Sequence, residues 1–61
     1  MDYAEKNLIF NQADRIAKDK DLNILCQFGK LGALNAISIA VDGDEKVFVH
    51  YQDAKGYLNS L

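Results

Sequence analysis

His50 and Cys26 are the two side chains of this sequence that could act as soft metal ligands or as a nucleophile–base pair, and there is one of each. A thiol–imidazole pair needs its members within hydrogen-bond reach, and a zinc site needs at least three protein ligands. The surrounding pattern argues against either. Leu22, Ile24, Cys26 and Phe28 alternate with Asn23, Leu25 and Gln27, which is a strand signature, and Val47 to Tyr51 reads as a second strand of the same kind. On that reading Cys26 and His50 face opposite sides of a sheet. Cys26 is expected to be a small buried hydrophobe, and His50 a half-exposed strand residue. No cofactor or metal is expected.

Three other constellations carry equally little chemistry. Asp42, Asp44 and Glu45 cluster around Gly43, but they lack the alternating ligands and closing glutamate of a calcium loop. A solvated hairpin tip is expected, with a role in steering a basic target. Gly29-Lys30-Leu31-Gly32 lacks the lysine–hydroxyl pair and the following helix of a phosphate loop. Neither of the two serines, Ser38 and Ser60, stands in a nucleophile-elbow context. The expectation is that the protein is not an enzyme.

The elements that would position these residues follow from hydrophobic spacing. Ile9, Ala13, Ile16 and Ala17 recur at helical intervals and predict an amphipathic helix over Tyr3 to Lys18, with Asp2 as cap and Glu5 completing a capping box. Leu8 points away from that stripe and is expected to be a lone exposed leucine. Lys18 to Asp21 reads as a charged bridge. The first strand covers Leu22 to Phe28, with a turn at Gly29 to Gly32. The second covers Leu34 to Val41. Asp42-Gly43, continued by Asp44, Glu45 and Lys46, reads as a hairpin loop. The third strand covers Val47 to Tyr51. Ala54, Tyr57, Leu58 and Leu61 predict a short helix capped by Asp53, in which Gly56 costs about 1 kcal/mol relative to alanine.

The fold expected is a single small α+β domain over residues 1–61, with element order α-β-β-β-α. It is a three-stranded antiparallel meander with both helices packed on one face. That inner face would carry Ile24, Cys26, Phe28, Ile37, Ile39, Val41, Val47, Val49 and Tyr51. The opposite face would carry Leu25, Leu34, Ala36, Ala40 and Phe48 among Asn23, Gln27, Ser38 and His50. Neither outer strand, so drawn, contains the proline, lysine or acidic residue that usually blunts a sheet edge.

Size turns this pattern into a functional expectation. A chain of 61 residues buries only about 60% of the surface its unfolded form exposes, which leaves it marginally stable. One cysteine makes no intrachain disulfide, so self-association or a permanent partner is the expected remedy. The chain is therefore expected to be a non-enzymatic interaction module, a small homodimeric regulator or inhibitor that binds another protein. Phage- or bacteria-encoded blockers and antitoxin-like partners are the general class. Leu25, Phe48, His50 and Ala36 on the second sheet face, with Asp42, Asp44 and Glu45 at the tip, are the candidate interface.

The alternatives come from topology. The α-β-β-β-α order is also that of double-stranded-RNA-binding domains, and some small toxin-type RNases share it with a strand histidine, here His50. Such domains grip phosphates with basic residues clustered at the last helix. Here that helix opens Asp53-Ala54-Lys55-Gly56, and the formal net charge is -2, so nucleic acid is not the expected partner. Residues 1 to 20 carry charges throughout, and the longest uncharged run, Leu31 to Val41, is too short to span a bilayer. A cytoplasmic location without membrane association is expected.

Overall fold

The computed structural model describes residues Met1–Leu61. Helix α1 spans Tyr3–Lys20, strands β1, β2 and β3 span Ile24–Leu31, Leu34–Val41 and Asp44–Phe48, and helix α2 spans Tyr51–Asn59. The strands form an antiparallel sheet in the order β1-β2-β3. Ile9 and Ala13 of α1 and Ala54 and Leu58 of α2 meet Ile37 and Ile39 of β2 in one buried cluster, so both helices cover the same face. The expected α+β meander is the observed fold.

The capping box forms as the sequence implies. The Asp2 carboxylate accepts the Glu5 N–H at 2.8 Å, and the Glu5 carboxylate accepts the Asp2 N–H at 3.1 Å. At its other end α1 runs two residues past the expected Lys18. The charged segment is the last turn of the helix and not a bridge. Lys18 and Lys20 lie where the helix dipole favours cations. Asp21 ends the helix in the left-handed conformation (φ 54°), and its N–H and that of Leu22 both donate to the Ala17 carbonyl.

The two hairpin turns correct the strand boundaries. Leu31 pairs with Leu34, so the first turn is the two residues Gly32-Ala33 and not Gly29 to Gly32. Gly32, at the first central position, has φ 63°, as a type II′ turn requires. Strand β1 therefore starts two residues later than expected and continues to Leu31. The second turn is Asp42-Gly43 alone, with φ 50° and 89°, a type I′ pattern. Asp44, Glu45 and Lys46 are strand residues and not part of a loop.

That tight turn also reverses the expected facing of β3. Val41 opposite Asp44 forces Ile39 opposite Lys46, Ser38 opposite Val47 and Ile37 opposite Phe48. Because facing alternates along a strand, Phe48 lies on the helix-covered face and Val47 on the other. Phe48 packs on Tyr57 of α2, with ring centroids 5.3 Å apart. Val49 and Tyr51, expected on the inner sheet face, lie beyond the strand. Tyr51 begins α2, and the Val49 carbonyl accepts from the N-terminal amine of Met1 at 3.2 Å. The helix cap is His50 and not Asp53; its side chain makes no capping bond, and Asp53 sits in the first turn instead.

Ile37 and Ile39 are fully buried, each worth about 1.5–3 kcal/mol in apolar transfer. α1 lies along β1, where the Tyr3 and Phe28 rings meet at a tilt of 54° with centroids 5.5 Å apart, and α2 lies along β3. The helices also touch end to side through Gln12 with Asn59 and Lys20 with the Leu61 carbonyl.

Candidate protein-interaction surface

The uncovered face of the sheet carries Leu25, Gln27, Gly29 and Leu31 from β1, Leu34, Ala36, Ser38 and Ala40 from β2, and Glu45 and Val47 from β3. Four large apolar side chains there are about half exposed: Leu25 59%, Leu31 54%, Leu34 57% and Val47 49%. They surround small residues. Gly29 lies opposite Ala36 in the ladder, and together with Gln27, Leu31, Ser38 and Val47 they line a shallow depression of about 220 Å³.

Nothing in the chain sterically requires glycine at position 29. Its backbone is ordinary strand with no positive φ, and a Cβ added there would meet nothing within 4 Å. Glycine inside a strand costs roughly 0.5–1 kcal/mol relative to alanine. What it leaves is a place where another surface can approach the backbone closely.

The two edges of the sheet differ. β3 carries Asp44, Glu45 and Lys46 within the strand, with Lys46 paired to Asp44 at 3.7 Å. That edge is blunted, contrary to the expectation of an uncharged third strand. β1 is uncharged from Ile24 to Gly29, with Lys30 near its end. The Leu31–Leu34 turn directs the odd-numbered residues of β1 toward β2, and the Asp42 N–H donating to the Asn23 carbonyl at 2.8 Å continues that pattern. Ile24, Cys26 and Phe28 therefore aim their backbone N–H and C=O groups away from the sheet. Beside this edge, a groove of about 240 Å³ separates the strand from α1, lined by Phe10, Ala13, Asp14, Ile24, Leu25 and Cys26.

The expected site residues scatter. Leu25 is on the outer face, and Ala36 forms part of its floor, itself almost inaccessible. Phe48 is not on that face, because the β3 register turns it inward. His50 is not a strand residue at all; it is exposed at the start of α2. Two of the three acidic residues at the tip have local partners. Asp42 accepts the Asn23 N–H at 3.1 Å, Asp44 pairs with Lys46, and Glu45 is an exposed strand residue. Leu31 joins this face because β1 runs on to the Gly32-Ala33 turn, Val47 because the Asp42-Gly43 turn sets its register, and the groove at Asp14 arises from the packing of α1 beside β1.

Cys26 is half-buried on the inner face. Burial, and secondarily the Asp14 carboxylate, push its thiol above the usual range, so it is neutral at pH 7 and a poor nucleophile. No three His, Cys, Asp or Glu side chains converge in a way that could hold a metal ion. No helix is long and apolar enough to cross a membrane. Comparison with family models, with curated proteins and with solved structures found no significant match for this chain.

Proposed function

We propose that this chain is a non-enzymatic protein-interaction module that self-associates through the uncovered sheet face and acts as a small regulator or inhibitor of another protein. The observation that carries this reading is Gly29. A strand glycine that no turn, positive φ or internal contact requires sits in a depression rimmed by Leu31 and Val47. Two sheets packed face to face are about 10 Å apart, and small residues at the contact allow that approach. A second copy supplies the apolar burial that a domain of this size lacks.

The test is the melting temperature of the wild type and of Leu34→Lys across a wide concentration range. Association makes the wild-type melt rise with concentration. It leaves the variant, whose side chain is more than half exposed in one chain, folded but with a concentration-independent melt. A wild-type melt that does not move with concentration overturns the reading.

A further inference from the structure

We infer that the free edge of β1 and the groove beneath α1 form a docking slot for an extended segment of a partner protein, which adds as a fourth, antiparallel strand with the side-chain order acidic–x–apolar–x–basic. The inference rests on reading the chain as a protein-binding module, but it uses a surface separate from the uncovered sheet face, so the two fail separately.

The backbone supplies the affinity. Ile24, Cys26 and Phe28 present N–H donors and C=O acceptors along an edge that no charged residue blunts before Lys30. Strand addition of this kind is a recurring mode of peptide recognition, in which main-chain bonds hold the peptide and side-chain pockets select it. The incoming residue opposite Cys26 points to the same face as Cys26 and enters the groove, whose lining is apolar but for Asp14. That position takes an apolar side chain.

For an antiparallel strand, charge fixes the order of the flanking residues. α1 runs antiparallel to β1, with Tyr3 against Phe28 at one end and Ala17 bonded to Leu22 at the other. Asp14 therefore lies toward the Ile24 end of the slot. It lines the groove, is exposed and has no ion-pair partner. Lys6 lies at the Phe28 end, with its ammonium 5.1–5.5 Å from the rings of Tyr3, Phe10 and Phe28. An antiparallel strand meets Phe28 first and Ile24 last, so an acidic residue comes opposite Phe28 and a basic one opposite Ile24.

A second copy paired edge to edge would have to bring its own α1 to the same face of the sheet beside this one, because α1 lies on the β1 side. An extended segment with no helix over it meets no such demand.

The probe is the capped peptide Thr-Glu-Thr-Ile-Thr-Arg-Thr, compared with Thr-Arg-Thr-Ile-Thr-Glu-Thr, which has the same composition and the opposite charge order. Titrations are followed by amide NMR shifts on the wild type and on Asp14→Lys, an exposed position whose exchange leaves the core untouched. The first peptide should shift the Ile24, Cys26 and Phe28 amides saturably and bind at least tenfold more tightly than the second, and Asp14→Lys should abolish that preference. No saturable shift, equal affinity for the two peptides, or shifts centred on Leu34 and Val47 would overturn the proposal. A chain that stays monomeric yet binds the first peptide removes only the self-association reading.

Discussion

The two outer strands border the same sheet and lean on the same core, yet they are finished differently. β3 is short, carries three charged residues in a row, and turns its aromatic Phe48 inward onto Tyr57. β1 is longer, has an uncharged edge beside an open groove, and shares with β2 the exposed Leu25, Leu31 and Leu34. Charge on an edge opposes pairing, so β3 is the blunted edge and β1 the unblunted one. The contrast also separates two kinds of apolar residue. Those on the helix-covered face, Ile37, Ile39 and Phe48 among them, pack within the chain, and Leu25, Leu31, Leu34 and Val47 on the other face do not.

The largest expected effect ignores this division. Ile39 sits on the central strand, fully buried under both helices, and Ile39→Ala should cost about 2–5 kcal/mol of stability. Urea unfolding followed by circular dichroism measures it. A loss well below about 1 kcal/mol would mean that the two halves do not share one core.

A sharper comparison uses two glycines that both face open space, Gly29 in β1 and Gly56 in α2. Gly56→Ala should stabilise the chain by about 1 kcal/mol through helix propensity and leave its mass in solution unchanged. Gly29→Val should also stabilise the single chain, by roughly 0.5–1 kcal/mol. It should, however, fill the depression between Leu31 and Val47 and lower the mass seen by light scattering. If both variants behave like Gly56→Ala, the uncovered face is only wet.

The smallest effect concerns Cys26, on the braced side of β1. Its raised thiol pKa means that the folded chain holds a proton which the unfolded chain releases more readily. The contribution to stability is therefore intact below the ordinary thiol pKa and declines as pH rises through and above it. Cys26→Ala should lack that alkaline decline in pH-dependent melts. The folded wild type should react with a thiol reagent more slowly than the urea-unfolded chain. Equal rates would show that the groove beside α1 gives the thiol no protection.

Much of this architecture can be read from residue spacing. The α1 stripe, the Asp2–Glu5 capping box and the alternation of Leu34 to Val41 each state one local preference with no competitor. The third strand could not be read that way, because Asp44-Glu45-Lys46 has the composition of a loop. Strong turn chemistry overrode composition there. Asp42-Gly43 closes a two-residue hairpin, and counting outward from it places Phe48 opposite Ile37. The same count turns Val47 to the uncovered face and removes Phe48 from the candidate interface. The groove at Asp14 was not legible, since it depends on how far α1 stands from the edge of β1, a distance set by packing and not by any local pattern.

Sedimentation equilibrium of the wild-type chain over a wide range of loading concentrations tests the self-association claim most directly. The weight-average mass should rise reversibly from the single-chain value of 6.8 kDa toward twice that value. A mass that stays at 6.8 kDa at every concentration would contradict it.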